Sequence, residues 1–250
     1  MKEKPGLLLN WEAASIAHIK TLGNADLHIW HIELKLNKKQ SDIALSLLSD
    51  MQRDKYHRRN SVELKHQYLA GRYYLLTLLG AYTNIKAQDV SLSYGHLNKP
   101  RLSNAKPNLE FNFTDTDGYG MFAFSRHAQV GIDLERLDRE INIEAIAKRR
   151  FTEEELEYVK CKGNYNHQRC IAIWTRKEAY GKATGQGINF KMNQRNLFSS
   201  DDCINQHQFI DEKQNKWTCN QLSTNKKEHI ASVVYEGHEP LKIKAFNSLT

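Results

Sequence analysis

The sequence predicts a mixed α/β (α+β) fold assembled from two halves of similar strand-and-helix make-up. Three observations carry this expectation. Apolar runs with strand character occur in both halves of the 250-residue chain, and each half also holds a long helix-like segment. Two strand-like runs meet at a short polar turn near residues 125–128. At 40% hydrophobic content a chain of this length can bury one large core or two small ones. The turn divides it into an N-terminal part, 1–125, and a C-terminal part, 126–250.

Residues 27–36, "LHIWHIELKL", are apolar at both parities and read as a buried strand, with His28 and His31 as packing side chains rather than ligands. Residues 41–60 read as a helix opened by the Ser41-Asp42 cap. Residues 61–81 form a second, strongly apolar helix that stops near Gly80. A proline-containing connection covers 94–111. "YGMFAFS" (119–125) and "QVGIDLERL" (129–137) are adjacent strands around the turn at Arg126-His127. Helices follow at about 142–161 and 168–184, the second stopped by Gly185 and Gly187. "HIASVVYEG" and "LKIKAFN" are strands in the last third. No repeat or low-complexity tract interrupts this order.

The formal charge of +7 and pI near 9.1 favour an anionic partner. Basic residues gather in 51–72, with Arg53, Lys55, Arg58, Arg59, Lys65 and Arg72 against Asp54 and Glu63. Nucleic acid is the less favoured anion, because no zinc motif, RNP-like aromatic pattern or helix-turn-helix is present. No run of about 18 apolar residues predicts a membrane helix, and "MKEKPGLLLNWEAAS" lacks a signal-peptide core, so a cytoplasmic location without membrane attachment is expected. Cys161, Cys170, Cys203 and Cys219 show no C-x-x-C spacing, which fits free thiols in a reducing compartment.

Two short segments carry the chemistry. In "GIDLER", Asp133 and Glu135 lie two apart on a strand, so both carboxylates share a face. Like charges so placed repel unless a cation lies between them, and hard oxygen ligands suit Mg²⁺ with phosphates and waters. In "WTRKEAYGKATGQG" (174–187), Glu178 and Lys182 are i and i+4, with Trp174 one turn earlier on the same face. Each pattern alone also describes an ordinary solvated edge or surface ion pair. "GKAT" fails the P-loop pattern, and neither G-x-G-x-x-G, H-E-x-x-H nor G-x-S-x-G occurs.

Together the two segments, about forty residues apart, resemble the paired signature of the Sfp-type 4'-phosphopantetheinyl transferases. Gly131, Asp133, Glu135, Trp174, Lys177, Glu178, Lys182, Gly185 and Gly187 match its core positions. "AKRRFTEEEL" (147–156) is similar to the family's helix entry and places Glu155 at its acidic position. Lys99-Pro100 resembles the family's G-K-P loop, with Asn98 in place of the glycine, and "FNFTDTDG" (111–118) resembles F-N-[IL]-S-H-[ST]-x-G. The resemblance covers roughly residues 45–190.

It implies a fold of two similar α/β subdomains related by a pseudo-twofold axis, and a monomer with coenzyme A in the cleft between them. It also implies transfer of the phosphopantetheine arm of coenzyme A to a serine of an acyl or peptidyl carrier protein, releasing adenosine 3',5'-bisphosphate. Asp133, Glu135 and Glu178 would hold Mg²⁺ against the pyrophosphate. Lys182 would contact the phosphates and the leaving oxygen, and Glu178 or Glu155 would act as the base. Lys177, Lys99 and Lys55 would be further phosphate contacts. Carrier proteins are acidic, so a basic rim that includes Lys148, Arg149 and Arg150 would steer them in. Two positions depart from the pattern. Asp115 stands where the family often has a histidine that binds the 3'-phosphate, and Gln67 stands where an arginine is usual. These departures give the alternative reading, an inactive relative that binds coenzyme A or a carrier without transfer.

Overall fold

The computed structural model describes residues 6–15, 19, 22–95, 99–103, 109–161, 163–187, 191–198 and 206–249. Their elements in order are β1 (Trp11–Ala14), β2 (Asp26–Glu33), α1 (Lys38–Leu47), α2 (Asp50–His57), α3 (Val62–Thr83), β3 (Leu92–Tyr94), β4 (Pro100–Leu102), β5 (Glu110–Thr116), β6 (Tyr119–Ser125), β7 (Val130–Arg136), α4 (Ile143–Arg150), α5 (Glu153–Val159), β8 (Lys160–Cys161), β9 (Asn164–Tyr165), α6 (His167–Thr184), β10 (Gln206–Ile210), β11 (Lys216–Ser223), β12 (His229–Glu236) and β13 (Lys242–Leu249).

Two principal sheets organise them. One has the order β1-β13-β2-β6-β5 and the other β10-β11-β12-β7. The division at 125/126 falls between β6 of the first sheet and β7 of the second, yet β13 returns to the first sheet and pairs parallel with β2.

Each sheet buries both faces. Trp30, Ile32, Phe122 and Phe124 of the first pack under Ala70, Leu75, Leu78 and Leu79 of α3. The opposite face, with Leu27, Ile29, Met121 and Ala123, packs on Val130, Ile132, Leu134, Val233 and Tyr235 of the second sheet. The second sheet's outer face meets α6, where Ala179, Tyr180 and Ala183 contact Trp217, Cys219 and Val234. The result is a helix–sheet–sheet–helix stack. Double-sided burial explains why β2 and β6 are nearly continuous apolar runs instead of alternating ones.

Two expected helices are each broken in two, for one reason. The expected 41–60 helix ends at Leu47 and restarts at Asp50, because Ser49 caps the new start and Gln52 reaches back in a capping box. The expected 142–161 helix breaks at Phe151, because Thr152 and Glu155 form a second capping box. His28 and His31 are buried in β2, as a packing role requires. The Tyr82 hydroxyl lies 2.8 Å from His28 Nδ1 and accepts from Trp30 Nε1. Cys161, Cys170 and Cys219 are free thiols, while Cys203 and Asn98 lie outside the described residues. No helix among the described residues is long and apolar enough to cross a membrane.

Candidate active site

Strand parity decides which side of β7 carries chemistry. Val130, Ile132 and Leu134 enter the inter-sheet core, so Gly131, Asp133 and Glu135 face α6. Gly131 lets the two elements touch: a Cβ there would lie 2.1 Å from the Ala179 carbonyl oxygen and 2.3 Å from the Ala183 nitrogen. Close approach of strand and helix brings the acids of one to the charged pair of the other.

From Cys170 to Ala183, every residue of α6 is buried except Trp174, Glu178 and Lys182. These are spaced four apart and form a single open stripe. The stripe faces a seam where β7 abuts β5, the edge strand of the first sheet. Asn112 of β5 accepts from the Ile132 backbone N–H at 3.0 Å, and Thr114 follows it on the same face.

In the seam Lys182 Nζ donates to Asp133 Oδ1 at 2.7 Å and to the Thr114 hydroxyl at 2.9 Å, and that hydroxyl donates to Asp133 Oδ1 at 3.3 Å. Glu135 Oε1 accepts from Trp174 Nε1 at 3.2 Å and from the Arg139 guanidinium. Asp133 is 4% exposed and Glu135 8%. Burial raises the carboxyl pKa of Asp133, against the opposing pull of Lys182. Burial and then the Asp133 charge raise that of Glu135. Burial first, then Asp133, pushes Glu178 up to about 7.

Two oxygens in this group, Asp133 Oδ2 and Glu178 Oε1, are buried and accept no hydrogen bond. A buried acceptor without a partner is costly, and three crowded carboxylates with two such oxygens fit a hard divalent cation. Among the described residues, no three His, Cys, Asp or Glu side chains are yet gathered tightly enough to close on one ion.

Three expected site residues do not reach the seam. Glu155 and Lys177 are both fully buried and paired at 2.7 Å. Glu155 also accepts from the Thr152 and Leu197 backbone N–H groups, and Lys177 donates to the Met192 and Arg195 carbonyls. Neither can meet a ligand, so Glu155 is corrected from candidate base to helix cap and Lys177 from phosphate contact to core ion pair. Lys99 is 8% exposed and donates to the Ala183 and Val130 carbonyls at 2.6 and 3.3 Å, which corrects its assignment to phosphate. Burial pushes its pKa down to about 8.

Lys55 is exposed on α2, its ammonium 5.9 Å from the Tyr94 ring centroid. Nearer the seam, Arg59 and Arg72 flank the Tyr68 ring at 5.2 and 5.3 Å and line a cavity of about 100 Å³ with Gln67 and Asp115. Two further residues of the seam, Thr114 and Arg139, match none of the sequence motifs' charged positions. Thr114 lies inside "FNFTDTDG", but Arg139 has no signal beyond its charge.

Fold and site together define a class: an α/β protein with a carboxylate-rich seam between a strand of one sheet, the edge strand of the other and a long helix. The model of the 4'-phosphopantetheinyl transferase superfamily matches residues 129–234, which contain β7 and α6. The chain is 34% identical over 172 residues to the 4'-phosphopantetheinyl transferase HetI of Nostoc sp., covering 67% of this chain and 72% of that protein. It is 34% identical over 146 residues to the 4'-phosphopantetheinyl transferase gsp of Aneurinibacillus migulanus, covering 58% of this chain and 55% of that protein. The L-aminoadipate-semialdehyde dehydrogenase-phosphopantetheinyl transferase of Mus musculus is 29% identical over 141 residues, 50% of this chain and 44% of that protein. The chain belongs to the 4'-phosphopantetheinyl transferase family.

Proposed function

We propose that this protein moves the 4'-phosphopantetheine arm of coenzyme A onto a serine of an apo acyl or peptidyl carrier protein, in a Mg²⁺-dependent reaction that releases adenosine 3',5'-bisphosphate. The observation that carries this reading is the single open stripe of α6 facing the Asp133–Glu135 dyad across the seam. Asp133, Glu135 and Glu178 are the side chains that would hold the ion, and when bound it would supply charge neutralisation for the pyrophosphate.

The remaining work falls to the chain itself. Lys182 is held by Asp133 and Thr114 with its ammonium at the mouth of the seam, placed to meet the oxygen that gains charge on the leaving bisphosphate. Glu178 is also the candidate base for the serine proton, taken directly or through a water held at the site. Arg59 and Arg72 supply positive charge around Asp115, where the sequence lacks the family's histidine and arginine. Trp174 donates its indole N–H to Glu135 and so helps to orient that carboxylate.

The basic surface suits an acidic carrier helix, with Lys148, Arg149 and Arg150 on the last turn of α4. The Arg150 charge acts weakly on Glu178, which supports including this turn in the rim. A monomer in a reducing cytoplasm completes the reading, in keeping with the free thiols.

The test is the intact mass of an apo carrier protein after incubation with coenzyme A, Mg²⁺ and this protein. The expected gain is about 340 Da, the mass of one phosphopantetheine group, abolished in Asp133→Ala. Coenzyme A bound without any mass gain across several carriers would instead support the non-transferring relative.

A further inference from the structure

Lys99 is a buried cation with no carboxylate in ion-pair contact among the described residues. It arrives from the β3–β4 hairpin of the N-terminal part and ends between two elements of the C-terminal part. One acceptor, the Val130 carbonyl, opens β7. The other, the Ala183 carbonyl, closes α6, one residue after Lys182. These acceptors bracket the contact at Gly131, where β7 and α6 touch. The Lys99 stem runs beside Gly185, the left-handed C-cap of α6, with Cδ 3.5 Å from where a Cβ would stand.

A charge taken out of water in this way is disfavoured by burial, as its pKa of about 8 records. An apolar residue of the same length would avoid that penalty, at the loss of two hydrogen bonds to carbonyls. Stability alone therefore gives little reason for a lysine here. Geometry gives one: β7 carries Asp133 and Glu135, α6 carries Glu178 and Lys182, and Lys99 bonds to both elements at their point of contact.

We propose that Lys99 is a positioning residue, tying the N-terminal hairpin to the junction of β7 and α6 so that the last turn of α6 holds Lys182 in register with Asp133. The kinetic consequence rests on the transferase reading above; the structural consequence does not.

The test compares wild type with Lys99→Met and Lys99→Gln by two readouts. The first is amide hydrogen exchange of peptides spanning 179–187 and 130–136, with 216–223 as an internal reference. The second is the kcat and KM of transfer. Lys99→Met is expected to retain a Tm within about 5 °C of wild type, since lost hydrogen bonds and relieved burial oppose each other. Exchange is expected to rise in 179–187 and not in 216–223. kcat is expected to fall on the order of tenfold to a hundredfold with KM for coenzyme A changed less than about threefold. Lys99→Gln keeps an N–H donor on a shorter stem and is expected to lie between the two.

Wild-type exchange in 179–187 for both variants overturns the tie. Raised exchange with unchanged kcat overturns the positioning role. A wild type that transfers nothing overturns the transferase reading, while the exchange data still decide the tie. If Lys99→Met does not fold, an unaltered Lys99→Gln in both readouts overturns the proposal.

Discussion

Lys177 and Glu178 are neighbours in sequence and opposite in circumstance. Lys177 points to the closed side of α6, where Glu155 and two backbone carbonyls saturate its ammonium. Glu178 points to the open stripe, where Oε1 has no partner and burial beside Asp133 lifts its pKa to about 7. A helix turn of 100° per residue separates a saturated ion pair from an acid left without a partner. The lesson is that a satisfied buried charge belongs to the fold, whereas an unsatisfied one beside other acids is a candidate for contact with a ligand.

The largest effect is expected on the closed side. Glu155→Gln or Lys177→Met alone strands a buried charge and should destabilise the protein by about 3–5 kcal/mol in urea unfolding. The double variant Glu155→Gln/Lys177→Met should recover part of that loss, as a double-mutant cycle would show. Equal and additive single effects would mean that the pair is not coupled.

Next comes the open side. Glu178→Gln keeps the shape and removes a crowded negative charge. Transfer should fall by about 100-fold or more while the Tm stays level or rises. A Tm loss matching that of Lys177→Met would erase the distinction between the two faces.

A third expectation concerns pH and the first sheet. Burial depresses the pKa of His28 and of His31 to about 4 each. The unfolded chain, with histidines near 6.5, therefore binds more protons than the fold between about pH 6.5 and 4. Stability should be level above 6.5, fall through that window by up to about 3 kcal/mol per histidine, and flatten below 4. His28→Gln/His31→Gln should lose most of this slope in pH-dependent urea titrations.

A further effect is expected at the contact between strand and helix. Gly131→Ala places a methyl 2.1 Å from the Ala179 carbonyl oxygen, a backbone atom that cannot swing aside, and should cost about 3 kcal/mol or more as β7 and α6 separate. Its activity loss should exceed its stability loss, because the separation also parts Asp133 from Lys182.

Much of this is legible in the sequence. The strand dyad and the i, i+4 pair were readable because parity and helical spacing fix which side chains share a face. The two helix breaks were readable in principle from S-x-x-Q at Ser49 and T-x-x-E at Thr152. The second explains Glu155: its acidic position is the third residue of a capping box, and Lys177 reaches it from the closed side of α6.

What the sequence hid depends on distant partners. Lys177 is sealed by residues 155, 192 and 195, and Lys99 by 130 and 183, and no local pattern announces such pairings. The return of β13 beside β2 is likewise non-local, because a parallel neighbour more than 200 residues away leaves no periodic trace in either strand.

The most direct test of the account is the single-turnover rate of phosphopantetheine transfer to an apo carrier, measured for Glu178→Gln beside Glu155→Gln/Lys177→Met under conditions where both are folded. The open-stripe account predicts a rate at least about 100-fold below wild type for the first and within about tenfold of wild type for the second. The reverse order, with the buried pair the more damaging to the chemical step, would contradict it.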